Sequence, residues 1–259
     1  MPAPFIIAQV SDPHIGGEWG ATDPVAGLTA VLNAVRALPD RPDVLLVTGD
    51  LVNNGTDDEY ALVQKLVAAV SAPIHVLPGN HDRREGLRAR FGLPGDPAAP
   101  IQYSADLGPL RLVALDTTIS GRAAGELDSQ RLDWLDAELA LAPQQPTLLA
   151  MHHPPVITGM QPWDAIGLDA AGRAGLEAIV ARHPQVQRLV AGHVHQPLVS
   201  TLAGRAVLSI PSTYVQAQVD FDAPEIQFGA GPPGFAVHAL VDGAITSYLH
   251  TVGLRDSRH

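Results

Sequence analysis

The sequence predicts an α/β fold with parallel strands, and three observations support this. Short apolar runs alternate along the chain with longer segments whose apolar residues recur at helical spacing. The length of 259 residues and the hydrophobic content of 46% suit one large α/β domain or two small ones, and exclude general disorder. Several apolar runs also end on Asp, Asn or His, as Val44–Val47 does at Gly49-Asp50. A carboxylate at a buried strand end is costly without a positive partner, so these endings indicate a functional site.

The N-terminal region predicts a β-α-β unit. Phe5–Val10 has the pattern of a strand and ends at Asp12 and His14. Residues two apart in extended backbone point the same way, so this pair is expected to present a carboxylate and an imidazole to one point. A helix capped by Asp23 separates this strand from Val44–Val47, which predicts two parallel strands.

The next segment predicts a second helix and a third strand. Thr56 and Glu59 match a capping box, which opens the helix. The strand Pro73–Leu77 follows and ends at Gly79-Asn80-His81-Asp82. Residues 83–100 are rich in Arg, Gly and Pro, and this composition predicts a short helix inside a long loop.

The central part of the chain repeats the pattern of strand and helix. Arg111–Leu115 predicts a strand that ends at Asp116, and Asp128 is expected to cap the helix that follows. Thr147–Met151 predicts another strand, which ends at His152-His153-Pro154-Pro155. After its first residue each run is continuously apolar, which is typical of strands buried on both faces.

The last third contains one more helix and then only β-like segments. Ala170–Arg182 predicts the helix, and the strand Leu189–Ala191 ends at Gly192-His193-Val194-His195. The Gly/Pro-rich segment Asp222–Gly234 predicts a mobile loop over one face. The later strands are predicted at Ala206–Ile210, Phe235–Leu240 and Ala244–Leu249.

Charge and composition restrict the location and the partners. The net charge is −11, from 16 Lys and Arg against 27 Asp and Glu, which argues against a nucleic-acid polymer as partner. No apolar run approaches the roughly 18 residues of a membrane span, and the N-terminus lacks the basic start of a signal peptide. The chain has no cysteine, which excludes thiolate metal sites and favours a cytoplasmic protein.

The polar strand ends predict a metal site, because the carboxyl ends of parallel strands share one edge of a sheet. Seven side chains are too many for one tetrahedral zinc ion but suit two adjacent ions with a bridging carboxylate. A set of His, Asp and Asn without Cys suits Mn, Fe, Co or Zn. The converging residues are Asp12, His14, Asp50, Asn80, His152, His193 and His195. Five other histidines are assigned to strand faces, loops or the tail: His75, His183, His238, His250 and His259.

The same motifs resemble those of the calcineurin-like metallophosphoesterases, over residues 8 to about 195. More narrowly, they are similar to the class III cyclic-nucleotide phosphodiesterases and the related bacterial glycerophosphodiesterases. The resemblance implies a four-layer αββα sandwich of two mixed β-sheets, formed by one domain over residues 1–259. It also implies that the C-terminal segment 196–259 covers or flanks the active site.

The resemblance further implies which residues bind each metal ion and which contact the substrate. Asp50 would bridge two metal ions that clamp the attacking and leaving oxygens of a phosphate ester. Substrate contacts are expected from His14, Asn80, His81 and His195. The first ion would be bound by Asp12, His14 and His195, and the second by Asn80, His152 and His193.

Five further residues receive roles from their positions beside these motifs. His81 is expected to contact a phosphate oxygen or to protonate the leaving alkoxide, or else only to orient the turn. Asn53 is a candidate donor to the phosphate or to a water on the metal ions. His153 is expected to be structural, and Asp116 to accept a hydrogen bond from a ligand histidine. Val215 stands where many relatives have a histidine near the substrate, so leaving-group specificity is left open.

The predicted function is hydrolysis of small phosphodiesters, either 3′,5′-cyclic nucleotides or glycerophosphodiesters. A phosphomonoesterase or nucleotidase with the same metal site is the alternative, and a non-catalytic interaction module of the same fold is a more remote one. Exposed apolar residues in the C-terminal β region are compatible with a homodimer or a higher homo-oligomer, and relatives often oligomerise.

Overall fold

The computed structural model describes residues 3–20, 22–229 and 231–253. The helices are α1 (Pro24–Arg36), α2 (Asp57–Val67), α3 (Arg84–Phe91), α4 (Ser129–Ala140), α5 (Gln161–Ala165) and α6 (Ala170–Arg182). The strands are β1 (Phe5–Val10), β2 (Val44–Thr48), β3 (Ile74–Leu77), β4 (Tyr103–Asp106), β5 (Arg111–Leu115), β6 (Thr118–Ile119), β7 (Arg122–Gly125), β8 (Thr147–Met151), β9 (Val186–Ala191), β10 (Leu198–Leu202), β11 (Arg205–Ser209), β12 (Gln216–Ala217), β13 (Phe228–Gly229), β14 (Gly234–Val241) and β15 (Ala244–Thr251).

Two mixed sheets form the centre of the fold. The first has the order β15-β14-β1-β2-β3, and its strands β1, β2 and β3 are parallel. The second has the order β10-β11-β9-β8-β5-β4, and its strands β11, β9, β8 and β5 are parallel. Antiparallel strands flank the parallel ones in both sheets, which accounts for their mixed character.

Both sheets are buried on two faces, so the fold has three apolar layers between four layers of structure. In the first sheet Leu45 packs towards α1 and α2, whereas the next residue, Leu46, packs between the sheets. In the second sheet Leu149 packs towards α4 and α6, and Leu148 faces the first sheet. Successive strand residues point to opposite faces, so a strand covered on both sides must be apolar throughout. The αββα sandwich implied by the sequence is therefore confirmed.

One buried polar residue joins the two sheets directly below the strand ends. Gln9 in β1 is fully buried, and its Nε2 donates to Thr48 Oγ1 over 2.9 Å and to the carbonyl of Ala191 over 3.1 Å. Its Oε1 accepts from His238 Nε2 over 2.9 Å. Every polar atom of this amide thus has a partner, which offsets the cost of burying it and fixes β1, β2 and β9 relative to one another.

The predicted helix starts are confirmed by their caps. Asp23 accepts from the N–H of Val25 at the start of α1, and Asp128 accepts from the N–H of Arg131 at the start of α4. Thr56 and Glu59 form the complete capping box at α2. Such caps satisfy backbone donors that the helix itself leaves free, so they can be found from sequence alone.

The sequence did not reveal the short strands. Strands β4, β10 and the pairs β6–β7 and β12–β13 are two to five residues long, and none of them has an apolar run of its own. None of the helices in the described ranges is long and apolar enough to cross a lipid bilayer.

Candidate metal centre

The seven predicted ligands lie where the two sheets meet, not along one sheet edge as the sequence suggested. Asp12, His14, Asp50 and Asn80 follow β1, β2 and β3 of the first sheet. His152, His193 and His195 follow β8 and β9 of the second sheet. Because the parallel strands of both sheets end on the same side of the sandwich, the two groups of side chains face each other.

The backbone at these strand ends is left-handed, not extended. Asp12 and His14 therefore do not converge through extended geometry, and that expectation was wrong. Left-handed backbone is uncommon for residues other than glycine, and it clusters at functional sites, where the surrounding structure maintains it. The φ angles are 53° at Asp12, 44° at His14, 48° at Asp50, 68° at His193 and 49° at His195.

Two glycines allow the ligand loops to approach one another. A Cβ at Gly49, whose φ is 92°, would lie 2.4 Å from His152 Nδ1. A Cβ at Gly192 would lie 2.0 Å from Ser11 Oγ and 2.6 Å from Asp12 Oδ2. Any larger residue at these two positions would displace a predicted ligand, so the glycines belong to the architecture of the site.

The first half-site is the group formed by Asp12, His14, His195 and the shared Asp50. His14 Nε2 lies 3.1 Å from His195 Nε2 and 3.5 Å from Asp50 Oδ2. His195 Nε2 lies 3.4 Å from Asp12 Oδ1. Ligand atoms bound to one metal ion at about 2.1 Å are separated by about 3.0–3.5 Å, so these spacings suit a shared cation.

The second half-site is the group formed by Asn80, His152, His193 and the same Asp50. Asn80 Oδ1 lies 3.2 Å from His152 Nε2 and 3.1 Å from His193 Nδ1. His152 Nε2 also lies 3.4 Å from Asp50 Oδ2. Asp50 Oδ2 therefore contacts an imidazole of each half-site, which is the position a bridging carboxylate oxygen requires.

The hydrogen bonds behind the rings orient lone pairs into the centre. His152 Nδ1 donates to the carbonyl of Thr48 over 2.8 Å, and His195 Nδ1 donates to the carbonyl of Val215 over 2.9 Å. With Nδ1 as the donor, each ring presents its other nitrogen, Nε2, to carboxylate or amide oxygens that are also acceptors. A pocket of converging acceptors is stable only with a cation inside it, so the residues fit a pair of metal ions.

The pKa values of the buried ligand residues also indicate that the centre is stabilised by a positive charge. Burial lowers the pKa of His152, but the carboxylates of Asp50 and Asp12 outweigh it and raise the pKa to about 9. Burial raises the pKa of Asp50, yet the rings of His152 and His14 outweigh it and hold the pKa well below its ordinary value. Burial lowers the pKa of His14 to about 3, so this ring is neutral. The carboxylates are thus charged at neutral pH, and a proton on His152 is the cation that a metal ion would replace.

His81 lies at the mouth of the centre and is outside both half-sites. Its backbone N–H donates to Asp50 Oδ1 over 2.8 Å, and its ring contacts His14 edge to face with centroids 4.7 Å apart. His81 Nδ1 lies 3.1 Å from the carbonyl of Asn53 and donates to it, which leaves Nε2 for other partners. The side chain of Asn53 accepts from Trp19 Nε1 over 3.0 Å, and its Nδ2 donates to Asn54 Oδ1 over 3.1 Å, which leaves the second N–H of the NH2 group as a donor.

Two neighbours of the centre have structural partners. His153 is fully buried, and its Nε2 donates to the carbonyl of Ala123 over 2.9 Å while its Nδ1 lies 2.8 Å from Thr117 Oγ1. Asp116 does not orient a ligand histidine, contrary to the sequence expectation. Its Oδ2 accepts from Arg84 Nε over 2.8 Å and from the N–H of Ile101 over 2.7 Å. Backbone carbonyls take the place of a carboxylate behind His152 and His195.

An aromatic wall next to the first half-site was missed from the sequence. Trp19 lies 5.3 Å from the ring of His14 and 4.7 Å from the ring of Phe228, measured between centroids. Trp163 lies 5.5 Å from His193. Trp19 and Phe228 are 43% and 38% exposed, which is unusual for large aromatic side chains beside a polar centre. The only sequence signal was an isolated tryptophan among glycines.

The C-terminal segment contributes to this side of the centre. Val215 is buried, and its carbonyl orients His195, a role that any residue at this position can fill. Phe228 belongs to the segment that the sequence assigned to a mobile loop, of which position 230 lies outside the described residues. His75, His183, His238 and His250 lie outside both half-sites, whereas His259 is not among the described residues.

A cleft of about 660 Å³ adjoins the second half-site. Asn80 and His81 form the wall nearest the centre, and the β6–β7 hairpin forms the opposite wall. Because three arginines line it, it is called the basic cleft below: Arg83, Arg84 and Arg122.

Comparison with known proteins agrees with this geometry. The family model of the calcineurin-like phosphoesterases matches residues 5–197, which include all seven predicted ligands. The glycerophosphodiester phosphodiesterase GpdQ of Enterobacter lignolyticus is 30% identical over 256 residues, with 96% of this chain and 91% of that protein covered. The 3′,5′-cyclic adenosine monophosphate phosphodiesterase CpdA of Pseudomonas aeruginosa is 32% identical over 256 residues, with 97% and 88% covered.

Solved structures show the same fold at lower sequence identity. The crystal structure of a dimetal phosphatase from Danio rerio superposes with a TM-score of 0.68 at 16% identity, and covers 97% of this chain and 100% of that chain. With the family match and relatives at 30% identity or more over nearly the whole length, the chain belongs to the calcineurin-like phosphoesterase family.

Proposed function

We propose that the protein hydrolyses small phosphodiesters, either 3′,5′-cyclic nucleotides or glycerophosphodiesters, with two metal ions bound in the two half-sites. The observation that carries the proposal is the pair of donor sets, with neighbouring atoms 3.1–3.5 Å apart, that share Asp50 Oδ2. The names of the relatives GpdQ and CpdA support a diester substrate over a monoester.

The donor chemistry indicates which ions suit the site and what they supply. Carboxylate, imidazole and amide ligands without thiolates fit Mn, Fe, Zn or Co. Such ions, when bound, neutralise charge on the phosphoryl oxygens and lower the pKa of water from 15.7 towards about 7. The choice among these ions, a cytoplasmic location and a homo-oligomeric state remain predictions from the sequence.

His81 is the residue best placed to act on the leaving group. Because Nδ1 donates to the carbonyl of Asn53, the second nitrogen is the one that can give a proton to a departing alkoxide. The ring is exposed on one side and packed against His14 on the other, so it is both accessible and oriented. The NH2 group of Asn53 adjoins it as a donor to a phosphate oxygen.

A substrate panel with Mn²⁺ tests the proposal. It includes cyclic AMP, cyclic GMP, glycerophosphocholine, a bis-aryl phosphate and an aryl monophosphate, together with the metal content of each preparation. We expect two ions per chain and higher kcat/KM for a diester than for the monoester. A preference for the monoester would replace the proposal by a phosphomonoesterase, and well under two ions per chain with no turnover would indicate an interaction module.

A further inference from the structure

The basic cleft is continuous with the centre, so a bound substrate must place part of itself there. Asn80 belongs to the second half-site, and both Asn80 and His81 line the cleft. A phosphate held at these two residues would direct one of its ester arms between them and the β6–β7 hairpin. The volume of about 660 Å³ is more than a small alkyl group fills.

The cleft has a charge opposite to that of the whole chain, whose net charge is −11. Arg84 is paired with Asp116, with 2.8 Å between Nε and Oδ2. Arg83 and Arg122 are exposed, and neither has an ion-pair partner among the described residues. Glu85 offsets only part of this positive charge, so two guanidinium groups remain available to an anion.

The other features of the cleft wall also favour a negative ligand. Helix α3 begins at the cleft, and its N-cap residue Arg83 makes no side-chain hydrogen bond to the helix, so the first N–H groups remain as donors. The carboxylate of Asp82 accepts at Oδ2 from the N–H groups of Leu51 and Gly79, and with Glu85 it sets two acidic side chains against the three arginines of the lining.

Both arginines are carried by fixed elements. The stem of Arg83 crosses Gly55, where a Cβ would come within 2.8 Å of Arg83 Cγ. Arg122 adjoins Ala123, whose carbonyl accepts from the buried His153 over 2.9 Å. The hairpin is held a second time at Thr118, whose carbonyl accepts from Arg84 over 2.9 Å. The elements that carry both arginines are therefore fixed, and only the exposed ends of the two side chains must become ordered when a ligand binds.

We propose that the basic cleft binds an ester arm that carries its own anionic group, such as a carboxylate or a phosphate, through Arg83 and Arg122. The inference rests on the proposed phosphodiesterase function and narrows its substrate class to those glycerophosphodiesters whose second ester arm carries a negative charge, which a cyclic nucleotide lacks. The two arginines act as specificity residues and leave the bond-breaking step to the metal centre and His81.

Two symmetric diesters test the proposed binding of an anionic arm. Because the two arms of each diester are identical, the same group occupies the cleft in either orientation of the substrate. They are bis(4-carboxyphenyl) phosphate and its neutral counterpart, bis(4-methoxycarbonylphenyl) phosphate. The ratio of their kcat/KM values is compared between the parent protein and the variants Arg83→Gln, Arg122→Gln and the double variant, so the intrinsic difference between the two leaving groups cancels. Arg41→Gln is the matched control, because Arg41 is exposed and lies outside the cleft.

We expect each single variant to lower kcat/KM for the charged diester by about three- to tenfold and to change the neutral diester by less than about twofold. The double variant should also lose most of the ionic-strength dependence seen with the charged diester, whereas the control keeps it. An unchanged ratio in the double variant would overturn the proposal. The affinities for both diesters are measured in parallel by calorimetry. Absence of hydrolysis of both diesters would refute the proposed function. The ratio of the two affinities, compared between the parent protein and the variants, would still decide the role of the arginines.

Discussion

The two half-sites of the candidate centre share Asp50 but differ in charge, backbone and access. Besides Asp50, the first half-site contains the fully buried carboxylate of Asp12. All four of its residues have left-handed backbone. The second has no carboxylate besides Asp50, and its Asn80 is half-buried and lines the basic cleft. From this difference we expect the first half-site to bind a metal ion more tightly, and the second to present its metal ion to the substrate.

The largest expected effect follows from removing the residue that both half-sites share. Asp50→Ala should lose both metal ions and lower kcat by more than about 10³-fold, because each bound ion contributes several kcal/mol to transition-state stabilisation. Metal analysis after dialysis, together with kcat, measures this. The exposed Asp58→Ala serves as the control. Two tightly held ions in Asp50→Ala would show that Asp50 is not the bridge.

A substitution at His81 tests a role in catalysis independently of metal binding. His81→Ala should retain both ions but lower kcat by roughly 10²- to 10⁴-fold, the usual contribution of a positioned acid or base. The deficit should shrink when an alkyl leaving group is replaced by an aryl oxide, since the latter departs without needing a proton.

Metal content and kcat for an alkyl and an aryl diester distinguish this role from a purely structural one. A turn-orienting His81 would instead displace Asn80, so the variant would lose the second ion and show equal deficits on both substrates. That pattern would remove His81 from the chemistry.

The half-sites should differ when each loses one ligand. Asn80→Ala should deplete chiefly the second ion and lower kcat/KM by about 10- to 100-fold, because an amide is a weaker ligand than a carboxylate. Asp12→Ala should release the first ion. Titration with Mn²⁺ of the two variants measures the affinity that remains at each half-site. Equal loss of both ions in both variants would mean that the half-sites are not separable in the way their ligand sets suggest.

Much of the sandwich was predictable because its signals are local. The capping box of Thr56 and Glu59 and the apolar run Thr147–Met151 each depend on neighbours in the sequence. The ligand residues were found because each follows a strand. The backbone at Asp12 and the partner of Asp116 were missed because both are set by contacts across the fold, such as the bond of Asp116 to Arg84, 32 residues away.

The basic cleft could not be predicted from the sequence for the same reason, because contacts between distant residues form it. Arg122 belongs to a four-residue strand without an apolar pattern, so no sequence pattern predicts that it lies near His81. The pairing of β6 with β7, the hydrogen bond from His153 to Ala123 and the bond from Arg84 to Thr118 bring this arginine to the cleft. Chemistry that depends on such long-range contacts is accessible only once the chain is folded.

The last difference between the half-sites is their response to pH. In the metal-free protein the pKa of His152 in the second half-site is about 9, so this ring holds a proton that an incoming ion must displace. The pKa of His14 in the first half-site is about 3, so this ring has no proton to lose near neutrality. Affinity at the second half-site should therefore rise up to about tenfold per pH unit between pH 6 and 8, and affinity at the first should rise less.

The same proton has a consequence for the metal-free fold. The pKa of His152 is higher in the folded protein than its unfolded value of about 6.5, so the bound proton stabilises the fold fully at pH values below about 6.5. This contribution is lost as the pH rises through about 9. Co²⁺ titrations at pH 6, 7 and 8, followed by absorption and by thermal unfolding, measure both effects, with Asn80→Ala as the variant that isolates the first half-site. If the second half-site took up Co²⁺ with the same affinity at pH 6 and pH 8, no proton would occupy the place of the metal ion at His152. The contrast between the half-sites would then rest on their charges alone.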